Sequence, residues 1–300
     1  MQMDRGAYGR VDTSQAKAPE GPHREFDMRR QLIAAATGAA LFASAMAANA
    51  QDALDRVMDA GVLKVGTETA FAPFDFIDAG EHTGLNLDVF EEIGKDMGVE
   101  IEWITLDWTG VLPGLEAGRF DVVAGPATIT ADRMQRYRFS SPIAEATVAI
   151  LACADCDIET PEDIAGKPVG GATGTAQLAQ LREFAATLDI PPTSIGEYVS
   201  FNESYADIAA GRIVAVANSL PNIAFVAQQR PEVFKVVKPA FGTPAYFGYP
   251  GRIEPEYATL MDKIDEILLA MKADGRMATL QEKWFGTTFD MPDYIIEPKI

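Results

Sequence analysis

Apolar and polar residues follow two interleaved periods from residue 62 onward. Three short apolar runs have the composition of buried strands: VLKVGT (62–67), IEWIT (101–105) and FDVVA (120–124). Between the first two runs, apolar side chains recur every three or four residues, as on one face of a helix: Leu87, Phe90, Ile93 and Met97. A short helix carrying Leu112 and Leu115 precedes the third run. This alternation predicts an α/β fold with parallel strands and crossover helices.

A second helical pattern lies near the C-terminus. Glu254-Pro255 begins it, because proline is favoured in the first turn of a helix, and Gly275 ends it. Its core face is predicted to hold Leu260, Ile264, Ile267, Leu268 and Met271.

An eight-residue pattern occurs twice. AGRFDVVA (117–124) returns as AGRIVAVA (210–217), and each copy has the form of a helix end, a glycine and a buried strand. Any two helix-to-strand junctions share part of this pattern. Both copies, however, lead directly into polar or backbone-exposing residues, Gly125-Pro126-Ala127-Thr128 and Asn218-Ser219. Because ligands in open α/β sheets bind outside the carboxyl ends of strands, the repeat predicts two lobes that face one cleft.

Residues 28–50 have the composition of an export signal. Arg29 and Arg30 precede a short Ala-rich run, and Ala48-Asn49-Ala50 is a small-x-small cleavage pattern. The run falls short of the ~20 strongly apolar residues of a spanning helix, so we favour a signal peptide cleaved after Ala50 over a membrane anchor. Residues 1–27 are polar and aperiodic. We therefore expect Met28 to be the true start and 1–27 to be a wrongly assigned upstream extension.

The charge balance restricts the classes of partner and of chemistry. The chain has 44 acidic and 25 basic side chains, a net charge of -19. Without residues 1–50 it has 39 acidic and 19 basic side chains and a net charge of -20. Phosphate binding requires a basic face, so we predict no nucleic-acid partner. After removal of His23 only His82 is left, which disfavours His-rich metal sites and Ser-His-Asp catalysis, and we predict no metal and no cofactor.

Two cysteines lie close together, Cys153 and Cys156 in ACADCD. In an oxidising compartment such a pair is most simply a structural disulfide. Free thiols are the first alternative. Redox catalysis is the last, because a catalytic CxxC of the thioredoxin kind begins a helix directly, whereas the next helix start here is Thr160-Pro161.

GPATITADR (125–133) carries the most informative candidate chemistry. Thr130 is a predicted N-cap, with Asp132 and Arg133 in the first turn of the helix that follows. The Arg133 guanidinium then faces the strand end, where it could hold a carboxylate through two parallel hydrogen bonds. The alternative is an ordinary solvated arginine on a helix.

A second candidate anion site is the turn Gly174-Thr175-Ala176. It begins a predicted helix over Ala176–Ala186, whose free N–H groups could hold an anion. No Lys-Ser/Thr pair follows the glycines, so the turn is not a nucleotide-binding P-loop.

Five blocks of this sequence occur in a known order and spacing: FAPFDF (71–76), residues 87–133, RFSSPI (138–143), GATGTA (171–176) and EKWFG (282–286). In these blocks, and through essentially all of residues 62–286, the chain resembles the extracytoplasmic solute-binding proteins that feed polar amino acids to ABC importers (bacterial solute-binding protein family 3). The resemblance implies a two-lobe, type II periplasmic-binding-protein fold: two open sheets with a ligand cleft between the lobes.

The resemblance also implies roles for individual residues. Arg133 and Thr128 would hold the ligand carboxylate, and the carbonyl of Pro126 would accept a hydrogen bond from an ammonium. Phe71 and Trp108 match positions that sandwich the ligand, with ordinary core packing as the alternative. The predicted ligand-binding set is Glu68, Phe71, Trp108, Gly125, Pro126, Thr128, Arg133, Gly174, Thr175, Ala176, Asn218 and Ser219.

The sequence departs from the family pattern where an α-ammonium is usually paired. Ser219, after Asn218, stands where an acidic residue is usual, and Val214 replaces an Asp in the strand. An ammonium in a closed cleft without a carboxylate partner would be costly. Either Glu68, which matches a position that contacts the ligand side chain, supplies the counter-charge, or the ligand has no free primary α-amine. Phe71 and Trp108 beside Glu68 would also suit a delocalised or alkylated cation.

The predicted organisation is therefore a first lobe of residues 51–150 and 242–300 and a second lobe of 151–241. The predicted function is periplasmic binding of a small zwitterionic or carboxylate solute, an amino acid or a derivative, and its delivery to the permease of an ABC importer. We expect a monomer and no enzyme. The alternatives are a periplasmic enzyme like the cyclohexadienyl dehydratases, with Glu68 as its general acid, and, least favoured, a detached sensor domain.

Overall fold

The computed structural model describes residues 52–300, and the predicted leader and upstream extension lie outside that range. Nine α-helices lie within it: α1 (Ala53–Ala60), α2 (Leu85–Met97), α3 (Trp108–Glu116), α4 (Ala131–Met134), α5 (Ala176–Ala185), α6 (Phe201–Ala209), α7 (Leu220–Gln229), α8 (Ala258–Asp274) and α9 (Arg276–Phe285). Short 3-10 helices cover Pro161–Ile164 and Pro255–Tyr257.

The strands of the same range are short: β1 (Val62–Thr67), β2 (Ala70–Phe71), β3 (Asp75–Asp78), β4 (Glu81–Thr83), β5 (Glu100–Thr105), β6 (Val122–Val123), β7 (Ala127–Thr128), β8 (Tyr137–Phe139), β9 (Ala144–Glu145), β10 (Val148–Cys153), β11 (Pro168–Ala172), β12 (Ser194–Tyr198), β13 (Ala215–Ser219), β14 (Phe234–Val237), β15 (Tyr246–Gly248) and β16 (Pro250–Arg252).

Two five-stranded sheets have the same construction. The first has the order β5-β1-β6-β16-β8 and the second β12-β11-β13-β10-β14. In each, three neighbouring strands are parallel and the last two strands run antiparallel to their neighbours. Helices cross between the parallel strands, as the alternating pattern predicts. The predicted α/β, two-lobe fold is confirmed, and we call the parts built on the two sheets the first lobe and the second lobe.

The repeated octapeptide occupies the same place in both sheets. Its two copies lead into β6 and β13, which are the central strands of their sheets. The glycines before them, Gly118 and Gly211, have φ of +68° and +71°, a left-handed conformation that favours glycine. The repeat is therefore more than a generic helix-to-strand junction, because it places two equivalent strand ends.

A three-stranded sheet joins the lobes, with the order β7-β15-β9. The chain passes to the second sheet between β9 and β10 and returns between β14 and β15. We call this element the crossing sheet. The second sheet includes β10 from Val148, which pairs with Ser219. The exact lobe limits of 51–150, 151–241 and 242–300 stay a prediction.

The predicted helices are present, with small shifts at their ends. Helix α2 begins at Leu85, two residues before the predicted face, and buries Leu85 and Val89, whereas Leu87 is only half-buried. Near the C-terminus, the predicted long helix is a 3-10 turn followed by α8, which ends at Gly275, where φ is +89°. Between residues 52 and 300, no helix is both long and apolar enough to cross a membrane.

The two cysteines lie at the end of β10. The sulfur atoms of Cys153 and Cys156 are bonded to each other, as the structural-disulfide interpretation predicts. The next helical turn begins only at Pro161, where the side chains of Thr160 and Asp163 form a reciprocal capping box.

Candidate ligand-binding cleft

The two lobes meet around a small cavity of about 10 Å³. From the first lobe and the crossing sheet it is lined by Glu68, Phe71, Trp108, Pro126, Thr128, Arg133 and Phe247. From the second lobe it is lined by Thr175, Gln177 and Phe201. A space of this size holds about one water molecule, so a solute must separate these walls as it enters.

Arg133 lies at one end of the cavity. Its position follows from Thr130, which caps α4 by accepting a hydrogen bond from the Arg133 N–H at 3.2 Å. The guanidinium donates to the carbonyl of Thr128 at 3.0 Å and lies 5.5 Å from the centre of the Trp108 ring. Burial lowers the pKa of Arg133 to about 10, so it stays charged at neutral pH. Within residues 52–300 no carboxylate pairs with it.

Gly174 closes the cleft from the second lobe through its carbonyl oxygen. That oxygen accepts from Trp108 Nε1 at 3.2 Å and from Arg133 Nη2 at 3.3 Å. The φ of Gly174 is +75°, a left-handed conformation that favours glycine. The sequence predicted Gly174 as part of an anion-binding turn, and the structure uses its carbonyl to hold the cationic side of the first lobe.

The N-terminus of α5 faces the same end of the cavity. Thr175 caps the helix, and its Oγ1 accepts from the N–H of Leu178 at 3.1 Å. The N–H groups of Ala176 and Gln177, in the first turn, have no acceptor within the helix. An adjoining crevice of about 460 Å³ is lined by Gly174, Thr175 and Ala176 together with Arg133.

Three polar side chains in the cavity wall have no side-chain partner among residues 52–300. Glu68, Thr128 and Gln177 are 7%, 2% and 3% exposed. None of them makes a side-chain hydrogen bond or ion pair with another residue in 52–300. The polar side-chain atoms sealed from solvent without a partner in that range belong to Gln180 alone. The polar atoms of Glu68, Thr128 and Gln177 are therefore open to the cavity, as a ligand site requires.

Glu68 lies at the end of β1, where negative charges surround it. Burial, with smaller contributions from the charges of Asp75 and Asp107, raises the pKa of Glu68 from 4.5 to about 8. Arg133 is not among the causes of this shift. The cavity thus has a cationic end and an acidic end that do not neutralise each other.

A buried hydrogen-bond network centred on Asp75 lies next to Glu68. Asp75 is fully buried, accepts from Asn86 Nδ2 and lies 2.8 Å from His82 Nε2. Asn86 also donates to the carbonyl of Ala124 at 2.8 Å and accepts from the Tyr249 hydroxyl at 2.8 Å. His82, the one histidine after residue 50, therefore pairs with the buried Asp75 in a structural network.

Asn218 and Ser219, the predicted second-lobe contacts, do not line the cavity. Both are fully buried. Asn218 donates to the Tyr205 hydroxyl at 2.8 Å, and the Ser219 hydroxyl bonds the side-chain oxygen of Asn222. Asn222 in turn donates across the cleft to the carbonyl of Ala72 at 2.8 Å. The second strand end is therefore occupied by a neutral network that joins the lobes.

A comparison with protein families identifies the family of this chain. Residues 63–287 match the model of the bacterial extracellular solute-binding proteins, family 3. The chain belongs to this family.

Among the relatives of this solute-binding protein is the L-cystine-binding protein TcyJ of Escherichia coli (strain K12). It is 29% identical over 236 residues, which cover 78% of this chain and 86% of the relative.

Two solved structures are also similar. An ancestral arginine-binding protein bound to glutamine is 34% identical, with a TM-score of 0.68 over 75% of this chain and 98% of that one. The ancestral amino acid-binding protein AncCDT-1, a precursor of cyclohexadienyl dehydratase, is 30% identical, with a TM-score of 0.70 over 77% of this chain and 99% of that one.

Seven predicted residues of the solute-binding protein meet at the cavity: Glu68, Phe71, Trp108, Pro126, Thr128, Arg133 and Thr175. Gly174 and Ala176 line the adjoining crevice, and Gly125 is buried behind the cavity wall.

Sequence reasoning missed three residues that line the cavity of the solute-binding protein. Gln177 directly follows the predicted Ala176, so its place in the first turn of α5 was a usable signal. Phe201 begins α6 and Phe247 lies in β15 of the crossing sheet. Nothing in the local pattern distinguishes these two rings from core residues, because only the closure of the lobes brings them to Glu68.

The solute-binding protein offers no obvious place for a metal ion between residues 52 and 300. In that range no three His, Cys, Asp or Glu side chains come together in a way that could hold one.

Proposed function

We propose that this protein binds a small zwitterionic or carboxylate solute, an amino acid or a derivative, between its lobes and delivers it to the permease of an ABC importer. The observation that carries the proposal is the pair of unneutralised ends of the cavity: Arg133 without a carboxylate partner and Glu68 without a cation.

The cationic end suits a carboxylate. A guanidinium offers five N–H donors in a planar fork, and Arg133 uses two of them on backbone carbonyls. The free N–H groups at the start of α5 and the hydroxyl of Thr128 add donors next to it. A carboxylate placed here would receive charge-assisted hydrogen bonds from both lobes, which favours the closed form.

The acidic end suits a cation. Glu68 is desolvated in the ligand-free cavity, and a positive group beside it would restore the stability of its charged form. Charges of both signs at the two ends favour a zwitterion over a simple anion.

The description of the family as extracellular supports a site of action outside the cytoplasm. A signal peptide cleaved after Ala50 would export the chain to the periplasm. We expect the exported protein to act as a monomer, since each lobe of one chain supplies part of the cavity.

A thermal-shift measurement on the purified protein tests the proposal. The panel holds polar amino acids, N-methylated amino acids and betaines, cyclic zwitterions and keto acids. A true ligand at a hundredfold excess over Kd stabilises the protein by about 2.7 kcal/mol.

Arg133→Ala is expected to abolish that stabilisation. Arg182→Ala, which removes a half-exposed arginine paired with Glu197 on the second lobe, is the matched control and should leave it unchanged. Stabilisation that survives in Arg133→Ala, or a panel without any ligand, would count against the carboxylate site.

One observation favours a second candidate, an enzyme of the cyclohexadienyl dehydratase kind. A buried carboxyl with a pKa of about 8 is protonated at neutral pH and could act as a general acid on a leaving group. The measurement is release of aromatic product from prephenate or arogenate, with Glu68→Gln as the variant that should remove it. If the unmodified protein releases no aromatic product, the dehydratase hypothesis is wrong.

A further inference from the structure

We propose that the cationic group of the solute is N-alkylated, as in a betaine or an N-methylated amino acid, and is held between Glu68 and three phenylalanine rings. This inference rests on the proposed function and names the class of its substrate.

The three rings come from separate parts of the fold. Phe71 ends β2, Phe201 begins α6 on the second lobe, and Phe247 lies in the crossing sheet. The Phe71 ring centre lies 5.6 Å from that of Phe201 and 5.7 Å from that of Phe247, to which it is perpendicular. All three are buried and share the cavity with Glu68. Phe71 and Phe201 come from different lobes, so a solute bound between them would have one ring on either side.

The hydrogen-bonding groups of the cavity are unevenly distributed. Thr128 is bonded to Arg133 through its carbonyl, and Gln177 lies in the first turn of α5 beside Thr175. These groups belong to the carboxylate end. Glu68 lies at the other end, close enough for its charge to act on Tyr205, whose ring stacks on Phe201. The phenylalanine rings contribute no acceptor there, which leaves the Glu68 carboxylate and the Pro126 carbonyl as the acceptors that a cation would meet.

A primary ammonium carries three N–H donors and needs an acceptor for each of them in a dry site, because an unpaired buried donor is costly. An N-alkylated cation has few donors or none. Its charge spreads over the attached carbon atoms, and those carbon atoms pack on ring faces, which attract a cation through their quadrupole.

The second lobe adds no carboxylate near the cavity. Ser219, at the end of β13, is neutral and its hydroxyl bonds Asn222. The wall residues that the second lobe supplies, Thr175, Gln177 and Phe201, carry no negative charge. The positive charge of a bound cation would therefore be balanced by Glu68 and by the faces of the phenylalanine rings.

Calorimetric titration with two matched series tests the inference. The first is glycine with its N-methyl, N,N-dimethyl and N,N,N-trimethyl derivatives, and the second is L-proline with N,N-dimethyl-L-proline. We expect affinity to rise with each methyl group and the fully methylated member of at least one series to bind ten times more tightly than its parent or better. Parents that bind as tightly as the methylated members overturn the inference.

Two substitutions test the site itself. Phe201→Leu keeps an apolar side chain but removes the ring. It should weaken binding of the methylated ligand about ten-fold and lower the unfolding temperature of the free protein modestly, because Phe201 is buried. Phe184→Leu is the matched control, because its ring stacks on Phe241 and does not line the cavity. An equal loss in both variants would contradict a specific role for the Phe201 ring.

The inference and the proposed function fail in different ways. If arginine, glutamine or other primary amino acids bind in an Arg133-dependent manner and no methylated compound does, the inference is wrong and the proposed function stands. If no carboxylate solute of either kind binds, both are wrong.

Discussion

The two lobes present the same strand end with different chemistry. After β6, the first lobe continues into β7, which carries Thr128, and α4, which carries Arg133, and Glu68 directly follows β1. In the second lobe, β13 ends at Ser219, whose hydroxyl is hydrogen-bonded to Asn218 and Asn222. The charged side chains of the cavity wall thus all come from the first lobe, and the second lobe supplies a helix N-terminus, an amide and a ring.

This difference separates recognition from closure. The first lobe carries the ionisable side chains of the cavity wall, whereas the second lobe adds neutral contacts and bonds directly to the first through Gly174 and Asn222. The two lobes therefore share one sheet construction but contribute differently to the cavity. Five predictions test this division, from the largest expected effect to the smallest.

Arg133→Lys tests whether the first lobe recognises the carboxylate by geometry. A lysine keeps the charge but cannot form two parallel hydrogen bonds, so we expect at least a hundred-fold loss of affinity, about 3 kcal/mol. Calorimetric titration with the best ligand of the panel measures it. A loss of less than ten-fold would mean that charge alone suffices.

The affinity for a solute with a fixed positive charge should depend on pH through Glu68. Because the pKa of Glu68 is about 8 in the free protein and only its ionised form pairs with a cation, binding below that pH releases a proton. Affinity should then rise with pH, by up to about a hundred-fold between pH 6 and 8, and level off above. Titrations in buffers of different ionisation enthalpy count the released proton.

Glu68→Gln is the control for this pH dependence and should flatten it. The raised pKa of Glu68 also affects the stability of the protein without ligand. Glu68 keeps its proton in the native state, whereas the unfolded chain loses it above pH 4.5. The free energy of unfolding should fall as pH rises from about 4.5 to 8, and less so in Glu68→Gln. A flat profile in both proteins would contradict the buried, unpaired state of Glu68.

Ser219→Asp makes the second strand end acidic. We expect the affinity for primary amino acids, relative to their N-methylated counterparts, to rise about ten-fold, because a second carboxylate would accept from the ammonium. The free protein should unfold more easily, since Ser219 is fully buried and its replacement would be an unpaired charge. Ser219→Asn, neutral and of similar size, should leave the preference unchanged.

Asn222→Ala removes a bond across the cleft without touching the cavity wall. A single hydrogen bond contributes about 1 kcal/mol, so affinity should fall about five-fold, mainly through faster dissociation of the closed complex. Stopped-flow displacement measures that rate. The exposed Asn202 of α6 gives the matched control Asn202→Ala, and a dissociation rate that is equal in the two variants would exclude a role in closure.

Replacing both Cys153 and Cys156 by Ser should have the smallest effect on binding. The disulfide closes a very short loop at the end of β10, so its loss should lower the free energy of unfolding by about 2 kcal/mol. Ligand affinity should not change, because neither residue lines the cavity. A change in affinity would show that this end of the second sheet is coupled to the cleft.

Much of this protein could be predicted from local sequence. Helix and strand periods, the glycines that end helices, and the cap at Thr130 act within a few residues, so the pattern alone predicted α2, α5, α8 and the two equivalent strand ends. Arg133 and Glu68 could be found for the same reason, because Arg133 lies in the first turn of the helix that Thr130 caps and Glu68 directly follows β1.

The remaining features depend on contacts between distant segments. Phe201 and Phe247 are apolar residues like any in the core until lobe closure brings them against Phe71. The neutral network of Asn218, Ser219 and Asn222, and its bond to Ala72, joins residues 150 positions apart, a pairing that no local pattern specifies. The sequence by itself determined which charges the site contains and on which strand ends they lie. Only the tertiary structure decided that those charges stay unpaired at opposite ends of one cavity, because burial and distance are properties of the packed chain.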